Sequence, residues 1–261
     1  MISTAPRRAA QPAPAATRAP LVLVTGGKGG VGKTIVAANL ALALGARGRS
    51  VLLADLDLGL ADLDVVLGLE RGRELGVDLL SAGTGDLDLA ASSAARRERL
   101  IGGLRELAAG YDLVVADGAA GVGPDAVAFA AEADHVLLVT TPDAAALTDA
   151  YGLVKALHLF GERAGREVPT PELVVNQAGS LEDAERVAAR LRTTCERFLA
   201  RSPRSAGWLP QAADVARSAR TRRPFVLEAS SGLAATCLRQ IAARVDRLAR
   251  GSQDRERNSR R

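Results

Sequence analysis

The chain has 261 residues, enough for one large or two small domains, and 48% of them are hydrophobic, which is ample for a large core. Aromatic residues make up only 3%, so that core is aliphatic, and no apolar run reaches the ~18 residues of a membrane-spanning helix. Cys195 and Cys237 are far apart and form no C-x-x-C motif, which argues against a disulfide framework or a zinc site and fits a cytoplasmic protein. The net charge of +4 comes from arginines near the two ends.

Taken in order, residues 1–20 are rich in Pro, Ala and Arg and predict a disordered tail. Apolar strands then alternate with helical stretches up to residue 249, and residues 250–261 form a basic polar tail. The predicted strands are 21–25, 51–55, 77–80, 112–117, 135–140, 173–176, 207–210 and 225–227. The predicted helices are 35–44, 95–109, 143–160, 182–199 and 233–248. This alternation predicts one α/β domain over 21–249, a mostly parallel twisted sheet with helices on both faces and ligands at the carboxyl ends of its strands.

The stretch after the first strand is a phosphate-binding loop. Residues 27–34 have the sequence G-K-G-G-V-G-K-T and match G-x-x-x-x-G-K-[ST] between an apolar strand and an Ala- and Leu-rich helix, which predicts a P-loop NTPase. Glycines let such a loop curl around phosphate oxygens, and the following helix directs its positive end at them. We expect Lys33 to reach the β- and γ-phosphates and Thr34 to ligate Mg²⁺. The predicted nucleotide contacts here are Gly27, Gly29, Gly30, Val31, Gly32, Lys33, Thr34 and Ile35.

A second lysine, Lys28, lies inside the same loop. Lysine and arginine together number 34, yet the only lysines are Lys28, Lys33 and Lys155. Two of the three in one loop indicate a need for a compact ammonium group, which arginine does not replace without a change of geometry. A solvated loop lysine is the alternative, and this composition argues against it.

Three aspartates follow predicted strands. Asp117 ends the apolar stretch 113–116, the position of an acidic group that holds Mg²⁺ through water. Asp55 and Asp57 end the second strand, and since alternate residues of an extended chain share a face, both can point at the phosphate site. A nucleotide hydrolase needs one carboxylate near Mg²⁺ and one group that orients the attacking water. A polar turn is the other interpretation of the Asp55 and Asp57 pair.

These motifs resemble the MinD/ParA superfamily of deviant Walker A ATPases, and within it the FlhG type, over about residues 21–249. Besides the loop, the resemblance is carried by 55–68, 111–121, 141–151, 174–176, 195–198, 207–210 and 222–225. It implies ATP and Mg²⁺ as cofactors and an ATP-dependent homodimer in which Lys28 contacts the partner's phosphates. It further implies that Asp57 supports hydrolysis and that Asp55 lies near the metal. Asn176 and the segment around Pro210 would frame the adenine.

The resemblance implies a slow ATPase that acts as a dimerisation switch for the number or placement of flagella, with a flagellar or cell-division protein as partner. The alternative is a ParA-like partition ATPase or a septum-site ATPase. In the ParA-like case, the ATP dimer would bind DNA through basic residues with a steep salt dependence. Three features depart from the family pattern: the segment between Gly68 and Val77 is short, Gly118 replaces a common Thr or Ser, and the N-terminal tail lacks the activator motif of many FlhG proteins.

The last predicted helix carries an apolar stripe that could face either lipid or the core. Its members are Leu233, Cys237, Leu238, Ile241, Val245 and Leu248. Because the sheet needs a covering helix here and residues 250–261 offer nothing apolar for a bilayer to bury, we expect the stripe to belong to the core. Membrane anchoring is then absent or weak, limited to salt-sensitive attraction between arginines and anionic lipid.

Overall fold

The structure is a computed structural model that describes residues 18–56, 76–80 and 94–259. The strands in these ranges are β1 (Leu21–Gly26), β2 (Val51–Leu56), β3 (Val77–Leu80), β4 (Leu113–Ala120), β5 (His135–Thr140), β6 (Glu172–Ala178) and β7 (Arg204–Pro210). The helices in the same ranges are α1 (Lys33–Gly45), α2 (Ala94–Leu107), α3 (Pro124–Glu132), α4 (Ala144–Ala164), α5 (Leu181–Leu199), α6 (Ala213–Thr221), α7 (Phe225–Glu228) and α8 (Leu233–Ser259), with a 3-10 turn at Ala108–Gly110.

The strands form one parallel sheet in the order β3-β2-β4-β1-β5-β6-β7. The central strand β1 lies between β4 and β5, so that Leu23 is paired with Ala116 on one side and Val136 on the other. Because parallel strands share one direction, their carboxyl ends meet at one edge of the sheet, and the loop after β1 leaves from the middle of that edge. The predicted α/β fold with a parallel sheet is confirmed.

Helices cover both faces of the sheet. Alternate residues of a strand point to opposite faces, and in β1 Val22 and Val24 join a core that includes α1 and α8. Leu21 and Leu23 join a second core with α2, α3, α4 and α5. Burial on both faces explains why the strands are continuous apolar runs instead of alternating polar and apolar residues.

Residues 225–227, expected as a late edge strand, form the short helix α7, so that prediction is wrong. The Pro224 carbonyl accepts hydrogen bonds from two following N–H groups, at 3.1 Å each. The Val226 N–H donates to Asn39 Oδ1 of α1 at 3.1 Å, and Phe225 is buried against the same core. A short apolar run is compatible with a strand or a helix, and the contact with α1 selects the helix.

The last helix extends beyond the expected end at residue 248. It runs over Leu233–Ser259, so that most of the expected polar tail is helical. Ser252 Oγ lies 3.0 Å from His135 Nε2, and Gln253 Nε2 donates to the Asp112 carbonyl at 3.0 Å. These contacts hold the end of α8 near the amino ends of β4 and β5.

The described part of the chain begins a little before β1. Arg18 Nη2 donates to Asp134 Oδ1 at 2.8 Å, and Ala19 is buried beside the second core. Residues 1–17, which make up most of the expected disordered tail, lie outside the described residues.

Both cysteines are buried free thiols on helices, as the sequence predicted. Burial raises the pKa of the Cys195 thiol to about 11, and it raises the pKa of Cys237 as well. Both therefore stay protonated near neutral pH and act as small core residues.

The apolar stripe of α8 faces the core, as expected, with one exception. Its buried members are Cys237, Leu238, Ile241 and Val245. Leu248 is half-buried, whereas Leu233 at the start of the helix is 58% exposed. Among the helices that the structure describes, none is long and apolar enough to cross a membrane.

Leu238→Ala should lower the free energy of unfolding by about 2–5 kcal/mol, because it removes a fully buried side chain and leaves a cavity against α1. Leu233→Ala on the same helix is the matched control and should change it by less than about 0.5 kcal/mol. Urea denaturation followed by circular dichroism measures both. Equal losses in the two variants would contradict the assignment of the stripe to the core.

Candidate nucleotide-binding site

The loop between β1 and α1 has the backbone of a phosphate cradle. Gly30 and Gly32 adopt left-handed conformations with φ of 79° and 90°, which a side chain would disfavour. Gly32 caps α1, and its carbonyl accepts the first helical hydrogen bond from the Val36 N–H at 3.0 Å. Left-handed turns of this kind make an anion-binding concavity from backbone N–H groups, next to the positive end of the helix.

The loop fits closely against α4 on one side. A Cβ atom on Gly27 would overlap the Asp149 carbonyl of that helix, whereas a Cβ on Gly29 would meet nothing within 4 Å. Gly27 is therefore required by packing. Gly29 is open to solvent.

Asn176 supports the loop from the other side. It is buried at the end of β6, its Nδ2 donates to the Val31 carbonyl at 2.8 Å, and its Oδ1 accepts from the Gln177 N–H at 2.9 Å. A Cβ on Gly32 would overlap Asn176 Nδ2. The family resemblance associates Asn176 with the adenine, and the structure adds a contact that the sequence did not predict, the hydrogen bond to the Val31 carbonyl that holds the loop.

A cavity of about 330 Å³ opens beside the loop and brings several of the predicted residues together. It is lined by Gly30, Gly32, Ile35, Asn176, Gln177, Pro210, Gln211, Ala212, Val215, Ala216 and Ala219. The walls are mostly apolar, with a few amide groups, which suits a flat base that carries polar edges. The sequence predicted Ile35, Asn176 and Pro210 but missed the wall formed by α6.

Two of the predicted carboxylates lie side by side. Asp55 on β2 and Asp117 on β4 are paired across the sheet, and Asp117 is also paired with Val24 near the end of β1. Both are buried, at 4% and 2% exposed. Thr34, half-buried in the first turn of α1, is the third predicted oxygen ligand.

This donor set fits Mg²⁺. The cation prefers oxygen ligands and takes only one or two carboxylates beside phosphates and waters. Within the described ranges no three His, Cys, Asp or Glu side chains cluster as a metal site of their own. Asp57, the predicted hydrolytic residue, lies outside the described residues.

The two lysines of the loop differ in burial. Lys33 is 8% exposed at the start of α1. Lys28 is exposed, and its Nζ donates to Asp143 Oδ2 at 3.0 Å. Asp143 also caps α4, accepting from the N–H groups of Ala145 and Ala146 at 3.4 and 3.2 Å. The Lys28 hydrogen bond, followed by these two N–H groups, lowers the pKa of Asp143.

Sequence reasoning did not select Asp143. An aspartate directly before a helix is a capping signal, but its partner Lys28 is 115 residues away in the chain.

Gly118, one of the departures from the family pattern, lies where the sheet leaves little room. A Cβ there would lie 3.0 Å from Leu23 Cδ1 and 3.2 Å from the Val24 carbonyl oxygen. A threonine or serine would need these neighbours to move, so glycine is the residue that fits this sheet.

The parallel sheet, the glycine loop and the paired carboxylates at its edge define a P-loop nucleotide-binding protein. The family model of the CobQ/CobB/MinD/ParA nucleotide binding domain matches residues 22–246, and the chain belongs to this family. The resemblance derived from the motifs is thereby confirmed.

The chain is also similar to individual known proteins. The chain is 32% identical over 245 residues to the antiactivator FleN of Pseudomonas aeruginosa, covering 87% of this chain and 86% of FleN. It is 33% identical over 153 residues to the flagellum site-determining protein YlxH of Helicobacter pylori, covering 51% of this chain and about half, 52%, of that relative. The fold is shared with the septum site-determining protein MinD of Pyrococcus horikoshii, whose structure is complexed with Mg-ADP. The two structures match with a TM-score of 0.68 and 22% sequence identity, over 90% of this chain and 98% of MinD.

Gly27→Ala should lower the free energy of unfolding by about 1–3 kcal/mol without nucleotide, because the added methyl group overlaps the backbone of α4. Gly29→Ala is the matched control in the same loop and should be neutral or slightly stabilising, since its Cβ meets open space. Thermal and urea denaturation measure the stability of both variants. Equal stability would mean that the loop does not rest on α4.

Proposed function

We propose that the chain is an Mg²⁺-dependent ATPase that forms a homodimer when it holds ATP and separates after hydrolysis, and that this switch sets the number or placement of flagella. The observation that carries the proposal is the pair of lysines in one phosphate loop, with Lys33 buried at the helix start and Lys28 exposed at the rim. A protein that only bound a nucleotide would need Lys33 alone.

Nucleotide binding follows from the residues around the loop. Lys33 neutralises phosphate charge at the positive end of α1, and the loop N–H groups contact phosphate oxygens. Thr34, Asp55 and Asp117 hold Mg²⁺, which supplies charge neutralisation at the phosphates. The apolar cavity beside Ile35 and Pro210 receives the base. The Mg-ADP complex of the Pyrococcus horikoshii protein, which shares the fold, supports this choice of ligands.

Hydrolysis is assigned to Asp57, on the expectation that its carboxylate orients the attacking water. A group of this kind contributes about 10²–10⁴-fold to rate. A slow ATPase suits this role, since the switch stays on for as long as the dimer holds ATP.

The homodimer is assigned to Lys28. In its ion pair with Asp143 both side chains are about half exposed, at 44% and 53%. Water and salt screen this pair, so Asp143 holds the lysine only weakly. Lys28 can therefore leave Asp143 and contact the phosphates of a second subunit when two loops face each other. A compact ammonium on a flexible stem suits such an exchange better than a guanidinium.

The cellular role rests on relatives. The motif segments resemble the FlhG type, and YlxH of Helicobacter pylori carries flagellum site determination in its name. FleN, which matches most of the chain, carries the name of an antiactivator. We place the switch in the cytoplasm, with a flagellar or cell-division protein as its partner.

Lys28→Ala should keep ADP affinity within a few-fold of the unchanged protein but lose the ATP-dependent dimer, because the lysine contacts phosphate only across the interface. Lys155→Ala, an exposed lysine on α4, is the matched control and should dimerise normally. Light scattering with Mg-ATP and with Mg-ADP measures the mass. A normal ATP dimer of the Lys28→Ala protein would overturn the assignment of this contact.

Cells of the source organism that lack the gene should carry an altered number or position of flagella. The unchanged gene should restore the pattern, and the Lys33→Ala gene should fail because its product cannot hold a nucleotide. Flagella are counted by electron microscopy. Normal flagella together with misplaced septa or lost DNA would reject the flagellar role and favour a septum-site or partition ATPase.

A further inference from the structure

Gln177 lies at an irregularity of the sheet, beside the cavity that we assign to the base. Where β7 contributes one residue, Leu209, the neighbouring strand β6 contributes two, Asn176 and Gln177. An extra residue of this kind is a β-bulge, which changes the direction of a side chain and is common next to functional sites. The end of β6 therefore departs from regular strand pairing at the two residues that reach the cavity.

The bulge changes the side of the sheet that Gln177 occupies. Alternate residues of a strand share a face, and Leu173 and Val175 both belong to the second core. Regular alternation would bring residue 177 into that core as well, but Ala178 takes the place instead. Gln177 is exposed and lines the cavity of about 330 Å³ beside the phosphate loop.

The backbone of Gln177 is strained. Its φ is 57°, a left-handed conformation that residues other than glycine and asparagine rarely adopt. Its N–H donates to Asn176 Oδ1 at 2.9 Å, and Asn176 Nδ2 donates in turn to the Val31 carbonyl of the loop at 2.8 Å. These bonds hold Gln177 at a fixed place relative to the phosphate loop. Glycine would fit this conformation without strain, so a glutamine kept here indicates a role for its side chain.

Three amide side chains line the cavity, those of Asn176, Gln177 and Gln211. Asn176 is 2% exposed, and both ends of its amide already make the hydrogen bonds just described. Gln177 and Gln211 are exposed, and neither side chain forms a hydrogen bond within the described ranges. Of these two, Gln177 alone combines an available amide with a strained backbone.

We propose that Gln177 selects the base of the nucleotide. Its side-chain Oε1 accepts a hydrogen bond from the 6-amino group of an adenine in this cavity. A glutamine amide carries an acceptor and two donors, and its pairing with adenine is common in base recognition. The apolar walls offer the amino group no acceptor, so without Gln177 the group would lose a hydrogen bond to water on entry. This inference rests on the proposed nucleotide binding and names the residue that makes the site specific for adenine.

The test titrates the full chain by calorimetry with two ligands in the presence of Mg²⁺. One is ADP, and the other is purine riboside 5′-diphosphate, which lacks only the 6-amino group. The unchanged protein should bind ADP about threefold to tenfold more tightly, the scale of one net hydrogen bond. Gln177→Met keeps the length of the side chain but not the amide, and it should bind the two ligands equally, with ADP weakened by the same factor. Gln211→Met, a matched control in the same cavity, should keep the preference for ADP.

A glycine variant separates recognition from structure. Gln177→Gly should also lose the preference for ADP, while the midpoint of thermal unfolding of the free protein stays the same or rises, because glycine adopts this φ without strain. Ala200→Gly is the control, since Ala200 has a φ of 49° at the end of α5 and does not line the cavity. It should leave the affinities for both ligands unchanged.

The possible failures are distinguishable. No binding of ADP to the unchanged protein would reject the proposed nucleotide site and this inference with it. ADP binding without a preference over the analogue, or a preference that survives Gln177→Met, would overturn the inference and leave the proposed function standing. An equal loss of preference in Gln211→Met would overturn it as well. A lower unfolding midpoint of Gln177→Gly with the preference intact would make Gln177 a structural residue.

Discussion

The close fit of the phosphate loop between α4 and Asn176 is the constraint on which the rest of the site depends. A Cβ at Gly27 would collide with the backbone of α4, and one at Gly32 would collide with the amide of Asn176. With both glycines in place, Asn176 holds the Val31 carbonyl at 2.8 Å. The loop therefore has its shape before a nucleotide arrives, and binding needs little ordering of the backbone.

The sheet order then determines which charges meet at the loop. β4 lies directly beside β1 and β2 lies beside β4, so Asp117 and Asp55 come to the same edge from segments far apart in the chain. Lys33 is buried and its place is set by α1, whereas Lys28 is exposed and held by a screened pair with Asp143. One cation is buried and the other is exposed, which fits the ATP-dependent dimer that we propose.

Local signals predicted most of this arrangement, and contacts between distant segments account for what they missed. The loop is a contiguous motif, and strands buried on both faces are apolar runs that stand out in the sequence. Residues 225–227 were assigned wrongly because the Asn39 contact that selects a helix is 187 residues away. The Lys28–Asp143 pair is equally non-local. Helix α6 was missed because it is short and buries a single residue, which leaves no apolar stripe to recognise.

Helix α6 is weakly packed and also lines the cavity beside the phosphate loop. The residue that caps its C-terminus, Arg222, has a φ of 56°, a left-handed conformation that costs a non-glycine residue roughly 1–2 kcal/mol. Its one buried side chain, Ser218, contributes a hydroxyl instead of apolar contacts. Elements with few buried contacts are those that open most easily, yet α6 forms a wall of the cavity that we assign to the base. A change that stabilises α6 therefore also stabilises that wall of the cavity.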